Sequence, residues 1–281
     1  MSERDTERGW FEDVDRGDIA AARSAIETGS TESPADWPAA AVEVGFADDE
    51  DDYYRALHEA TLHAAREAAR ERERSADRQL IHAVRAMDEL SEVTNELTER
   101  FAEWAGSAFG DADTGVAYAR EVADRDPEDP TEERIVALAG RVVDLAAERE
   151  ALRGFVEAET PSVAPNLAAI AGPVLAARLI ALAGGLESLA RKPSGTVQVL
   201  GAEDALFAHL QGRATSPKHG VIYTHEYVRG THPGERGSAA RALAGKLSIA
   251  ARVDHYSGER KPEIDAKLKE RIERIRSRGP R

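Results

Sequence analysis

Histidines, arginines and carboxylates carry whatever chemistry this chain has, because none of its 281 residues is cysteine. That absence removes disulfide frameworks, thiol nucleophiles and cysteine-ligated zinc. His58-Glu59 with His63 comes nearest to a metal motif, but a helical zinc-protease site needs its two histidines four residues apart, and these are five apart. On a helix of 3.6 residues per turn they point about 140° away from each other. Gly245-Lys246 fails as a phosphate loop, since Ala240 stands where the leading glycine belongs and Leu247 follows in place of Ser or Thr. A nucleophile elbow and a dinucleotide fingerprint are both missing, and the eight histidines are scattered without a partner pattern. The chain therefore reads as a non-enzyme, with no metal and no cofactor of its own.

What remains is a set of residues suited to phosphates and bases. The net charge of -15 argues against a nucleic-acid partner only as an average. Residues 161–281 hold 19 Lys and Arg against 11 Asp and Glu, leaving 18 basic and 41 acidic residues before them. Within the basic half, Lys218 and His219 lie in a Ser-Pro-Lys-His-Gly turn, where a short loop can approach a phosphate or stack on an exposed base. Thr196 and Gln198 can hydrogen-bond from one face of a Thr-Val-Gln-Val run while Val197 and Val199 turn inward. Arg236, Arg241, Lys246 and Arg252 can line a positive strip. Gly201, Ala202 and Glu203 open a helix presenting Leu206 and Phe207, and small residues there let a macromolecule come close. Taken singly, each is an ordinary solvated charge or surface turn.

The elements that must position these residues are mainly α-helical. Residues 1–50 form a short head in which turn formers over 29–38 and the acidic run 48–52 leave room for a small α/β motif. Its Trp10, Phe11, Trp37 and Phe46, with Tyr53, suit either a minimal core or an apolar docking patch. Residues 51–160 form the helical section. From 51 to about 104 helix formers run without proline or glycine, and Leu80, Val84, Met87, Ser91, Thr94 and Phe101 share one stripe beside Leu90, Leu97 and Trp104. A second helix starts at Pro130, with Asp129 and Glu132 as a capping box, and carries Ile135, Leu138, Val142, Leu145, Arg149 and Leu152. Joined by a polar connector over 106–127, the two predict a long antiparallel hairpin, a coiled coil. After Thr160 the prolines at 161, 165 and 173 break the long-helix pattern, and residues 161–281 read as a compact helical domain. It contains at most two short extended runs, 196–200 and 220–223, and ends in a basic amphipathic helix from Pro262 with Arg274, Arg276, Arg278 and Arg281. No apolar run approaches the roughly 18 to 20 residues that span a bilayer, so a cytoplasmic protein is expected.

The order of the blocks in the basic half carries a resemblance. Pro165-Asn166-Leu167, Gly172, Ala177-Arg178-Leu179-Ile180 and Ala183-Gly184 are followed by an unbroken segment over 192–207, from Lys192-Pro193-Ser194-Gly195 to Ala205-Leu206-Phe207. Next come Pro217-Lys218-His219-Gly220-Val221-Ile222-Tyr223 and the run over 244–254, Ala244-Gly245-Lys246-Leu247 to Arg252-Val253-Asp254. In order and spacing these blocks are similar to the Nop domain of archaeal box C/D small ribonucleoprotein scaffolds, relatives of the eukaryotic nucleolar Nop proteins and of a spliceosomal Nop-domain protein. The stretch 77–104 resembles the start of the coiled coil of the same family, so about two thirds of the chain is covered. The excess of Asp and Glu, abundant Ala and scarce Lys suit a salt-loving archaeon, whose Debye length of about 3 Å or less screens an acidic surface.

The resemblance implies a scaffold that binds a kink-turn guide RNA together with a small ribosomal-type kink-turn protein. It implies self-association through the coiled coil, assigned to Leu80, Val84, Met87, Leu97, Phe101, Ile135, Leu138, Val142 and Leu145. It also implies a head that carries fibrillarin, the S-adenosylmethionine-dependent enzyme of RNA 2′-O-ribose methylation. The RNA-facing residues it implies are Thr196, Gln198, Gly201, Ala202, Glu203, Lys218, His219, Arg236, Arg241, Lys246 and Arg252. Two departures stand out: Asp204 occupies a position where many relatives carry Lys, and the head is about half the usual length. Rival readings are a Nop-domain RNA chaperone of ribosome biogenesis that has lost fibrillarin, and a coiled-coil adaptor with protein partners only.

Overall fold

A computed structural model describes residues 9–29, 35–110 and 113–277, in two compact units, 1–75 and 76–281. Arg278, Arg281 and part of the 29–38 turn lie outside the described residues. The division falls within the section 51–160 that the sequence reads as one helical region.

The first unit contains α1 (Ile19–Thr28), α2 (Trp37–Glu43) and α3 (Glu50–Glu73). No strand occurs among the described residues, so the expected α/β head is corrected to an all-helical one. Each helix begins at an aspartate whose carboxylate accepts a backbone N–H: Asp18 from Ala21, Asp36 from Ala39 and Asp49 from Asp52. The acidic run 48–52 is thus the capped start of α3, where negative charge meets the positive end of the helix dipole. The aromatic residues form the core: Phe11 and Tyr53 are buried, Trp10 and Phe46 meet edge to face, and the Trp10 indole N–H donates to the Tyr53 hydroxyl at 3.1 Å. Arg16 grips the Asp52 carboxylate with both terminal nitrogens, which with the Asp48 N–H holds that acid down at about 2.

The second unit opens with α4 (Ala76–Phe109) and α6 (Pro130–Val163), packed side by side as the expected hairpin. At 34 residues each they are about 51 Å long by the 1.5 Å helical rise. The Asp129 carboxylate caps α6 by accepting from Thr131 and Glu132, while the Glu132 carboxylate reaches back to the Glu128 N–H, one residue earlier than in the usual capping box. The connector is not merely polar: it folds into α5 (Gly115–Ala123), and Tyr118, Ala119 and Val122 pack with Phe101, Ile135 and Val142 to close the tip. Pro161 does not end the helix, because α6 runs on to Val163.

The stripe assigned to self-association is largely the chain's own interior. Leu80, Val84, Met87, Phe101, Ile135 and Val142 are buried, while Leu97, Leu138 and Leu145 are half-buried on the flank. Within this stripe a second copy could reach only Leu97, Leu138 and Leu145. On α6 the buried positions are Ala139 and Ala146 rather than the neighbouring Leu138 and Leu145, as small side chains permit close helix approach. Between the stem and tip clusters α4 buries Thr94 and Thr98, and the Thr94 hydroxyl has no hydrogen-bond partner among the described residues.

The rest of this unit is a bundle of short helices: α7 (Pro165–Ala171), α8 (Pro173–Ala183), α9 (Leu186–Arg191), α10 (Ser194–Val199), α11 (Glu203–Leu210), α12 (Glu226–Arg229), α13 (Arg236–Tyr256) and α14 (Glu263–Arg276). Prolines start α7 and α8, and Gly184, at φ 85°, ends α8 in the left-handed region. α13 is the hub, packed by α7, α9, α10, α12 and α14. Its buried face is Ala239, Ala240, Ala244, Ala250 and Ala251 with Leu243 and Leu247, small enough for neighbours on several sides. The two runs read as extended are corrected: 194–199 is helix α10 and 221–224 a 3-10 turn. The β-branched Thr and Val there prefer strands only weakly, and burial of Val197 in a segment packed against α13 overrides them.

Asn166 and Asp254, 88 residues apart, lock this bundle. The buried Asp254 carboxylate accepts from the backbone N–H groups of Asn166 and Leu167, both at 2.9 Å, and from the Asn166 side-chain amide at 2.6 Å, so it caps α7 from across the fold. The Asn166 amide oxygen then accepts from the Lys261 N–H at 2.7 Å and fixes the approach to α14.

Candidate nucleic-acid interface

The basic residues converge where two chain segments cross. Residues 198–200 and 218–221 are joined by Gly220 N–H to Gln198 O at 2.9 Å, Val221 N–H to Leu200 O at 2.7 Å and the Gln198 side-chain amide to Lys218 O at 2.7 Å. Gly220 makes the crossing possible, since a Cβ there would lie 1.9 Å from the Leu200 carbonyl oxygen. Gly201, at φ 78°, turns the chain away from it, and a Cβ at that position would stand only 3.2 Å from that of Val221.

The crossing holds an aromatic and cationic stack. The His219 ring lies on Tyr223 with centroids 4.5 Å apart and planes at 24°, and the Arg236 guanidinium lies 5.5 Å from the same ring. Arg236 is held by donating to the Thr231 and Arg229 carbonyls at 3.2 and 3.4 Å. Lys218 is exposed on the turn, and its stem comes near Gly237 at the start of α13. Gln198, Lys218, His219 and Arg236 are therefore brought together. A planar ring system beside guanidinium and ammonium groups suits an unstacked base and its phosphate.

The other expected residues divide into two groups. Gly201, Ala202 and Glu203 adjoin the crossing at the start of α11, where the Glu203 carboxylate accepts the Gly201 N–H at 2.9 Å and so has a local structural task. The α11 helix has no buried residue, and Phe207 and Leu210 are exposed. Thr196 is exposed on α10. Along α13, Arg241 is exposed and Lys246 half-buried. Arg252 stands about 24 Å from Arg236 by helical rise, and its guanidinium donates to the carbonyls of Ala190 and Lys192 at 3.1 and 3.5 Å. It caps the end of α9 and is a structural residue first.

Sequence reasoning does not single out Tyr223, although its spacing of four from His219 is visible there. It passes over His225 as well. The His225 Nε2 meets the Ile170 carbonyl at 2.9 Å while Nδ1 accepts the Tyr227 N–H at 3.1 Å, a pairing that only the neutral ring completes. Burial pushes its pKa below the ordinary histidine value. Among the described residues no group of His, Asp or Glu is placed to hold a metal ion.

Comparison with known proteins adds to this geometry. The sequence model of the Nop family, described as "snoRNA binding domain, fibrillarin", matches residues 75–277. A NOP5 family protein of Methanocaldococcus jannaschii is 33% identical over 276 aligned positions, covering 85% of this chain and 67% of that protein. Nucleolar protein 58 of Scheffersomyces stipitis is 32% identical over 248 positions, covering 73% of this chain and 48% of that protein. The chain thus spans about two thirds of the first and about half of the second. A crystal structure of a fibrillarin/Nop5p complex contains a chain that superposes with a TM-score of 0.54 at 26% identity, covering 91% of this chain and 92% of that one.

Proposed function

The chain belongs to the Nop family, whose sequence model covers residues 75–277, and on that premise we propose that it is the scaffold subunit of a box C/D ribonucleoprotein. It binds a kink-turn guide RNA jointly with a small ribosomal-type protein and positions fibrillarin for 2′-O-ribose methylation. The methyl donor S-adenosylmethionine belongs to fibrillarin, and this chain contributes shape and charge.

The observation that carries the reading is the crossing of 198–200 with 218–221, which presents Lys218, His219, Tyr223 and Arg236 as one rigid surface. Rigid positioning matters because an RNA bend is recognised through its shape and its unstacked bases. The match of relatives named NOP5 and Nucleolar protein 58, and the likeness to a structure solved as a fibrillarin complex, support the assignment of partners.

The test is binding of the full chain to a box C/D guide RNA, with and without the kink-turn protein, in molar KCl where nonspecific phosphate attraction is weak. The expected result is tight binding to the RNA–protein platform and little to a straight duplex of equal length. Equal binding to both RNAs would refute the reading. Titration of fibrillarin onto the full chain then separates the scaffold from an RNA chaperone that lacks that partner.

A further inference from the structure

A groove of about 630 Å³ opens beside the crossing, between α4, α8 and the turn at 220–224. Leu182 and Val221 give it apolar walls, Arg85, Asp88 and Arg178 line it with charge, and Tyr223 is shared with the stack described above. That volume is in the range of small-ligand sites and larger than one nucleotide requires. Leu182 is 45% exposed although it sits on a helix that is otherwise mostly buried.

The charged wall has a defined hydrogen-bonding face. The Arg178 Nε donates to both Asp88 oxygens, at 3.0 and 3.2 Å, and Nη2 also reaches this carboxylate. The two side chains remain 35% and 41% exposed. Arg178 therefore keeps Nη1 without a partner among the described residues, and because Oδ1 accepts from both Nε and Nη2, Oδ2 is the Asp88 oxygen that retains a lone pair. Arg85 is exposed and has no ion-pair partner among the described residues. An acceptor beside a donor complements the pairing edge of an unpaired base, where an N–H stands next to a carbonyl or ring-nitrogen acceptor.

Resting on the RNA-binding reading above, we infer that this groove takes one unpaired base of the bound RNA. The base lies against Leu182 and Val221, Asp88 Oδ2 accepts an N–H of its pairing edge, Arg178 donates to the acceptor beside it, and Arg85 meets the adjoining phosphate.

The test uses the full chain, the kink-turn protein and a box C/D guide RNA in which each unpaired nucleotide is replaced in turn by an abasic site. One position is expected at which the replacement weakens wild-type binding about tenfold. Leu182→Trp, which fills the groove from its rim, is expected to bind the intact RNA about tenfold more weakly and to lose nothing further at that position. Wild-type affinity in Leu182→Trp, or a deficit that persists on every abasic RNA, overturns the inference while leaving the scaffold reading intact. A second variant, Asp88→Ala, is expected to bind the intact RNA about fivefold more weakly and to lose little further at the same abasic position, and a full further loss there also overturns the inference. Should the wild-type chain itself fail to distinguish guide RNA from a straight duplex, the functional reading falls and this inference falls with it.

Discussion

Glycine plays opposite parts at two places in the same unit, on the hairpin helix α6 and at the crossing in the bundle. Gly140 and Gly154 lie on α6 with nothing within 4 Å of where a Cβ would stand, whereas a Cβ on Gly220 would strike the Leu200 carbonyl at 1.9 Å. The charge differs too: residues 76–163 hold 9 Lys and Arg against 21 Asp and Glu, while 164–281 hold 19 against 11. The hairpin is a regular element whose order comes from one repeating seam. The bundle depends on a few close approaches between distant segments, and those approaches shape the basic surface. Function can therefore be lost in the bundle by changes too small to matter in the hairpin.

The largest effect separating the two regions is expected from Phe101→Ala, which empties the fully buried tip of the hairpin. It should lower unfolding free energy by about 4 kcal/mol, measured by chemical denaturation, while the remaining folded protein keeps its RNA affinity. Asp254→Ala comes next. It strips three donors at the start of α7 of their acceptor, for a loss of about 3 kcal/mol, and hydrogen exchange should report the damage in the bundle while the hairpin tip stays protected. Gly220→Ala should remove about 2 kcal/mol of stability, yet reduce RNA binding more than either, because it displaces the turn that carries Lys218 and His219. Gly140→Ala should do the reverse and stabilise by up to about 1 kcal/mol, with RNA binding unchanged; a stabilised Gly220→Ala would erase the contrast.

The smallest effect is a pH dependence confined to the bundle. The folded-state pKa of His225 lies below its ordinary value because of burial. Its contribution is therefore whole above the unfolded value of about 6.5 and is lost as pH falls through the depressed one. Denaturation midpoints at pH 8 and pH 5 should differ more for wild type than for His225→Gln. Equal differences would show that the Ile170 and Tyr227 contacts are not the source.

Much of this is legible without the structure. The seam of α4, the Asp129 cap of α6, the basic half and the ordered blocks over 165–254 all stand in the residue types and their spacing. The misread strands and the misassigned leucines share an origin, packing that overrides local preference. Thr-Val-Gln-Val and Gly-Val-Ile-Tyr carry β-branched residues, and their local preference says strand, but packing against α13 and the crossing at Gly220 decide otherwise. Leu138 and Leu145 outrank their alanine neighbours in hydrophobicity, yet Ala139 and Ala146 take the buried positions.

By itself, then, the sequence determined the two long helices of the hairpin, which half is cationic and which family the blocks resemble, because periodicity and charge are properties of neighbours along the chain. Only the tertiary structure decided that Tyr223 is brought into a stack with His219 and Arg236, that Arg252 caps a helix, and that Asp254 holds α7 from 88 residues away. Each of those contacts depends on the path of the backbone between its partners, and that path is fixed only when the whole bundle closes around α13.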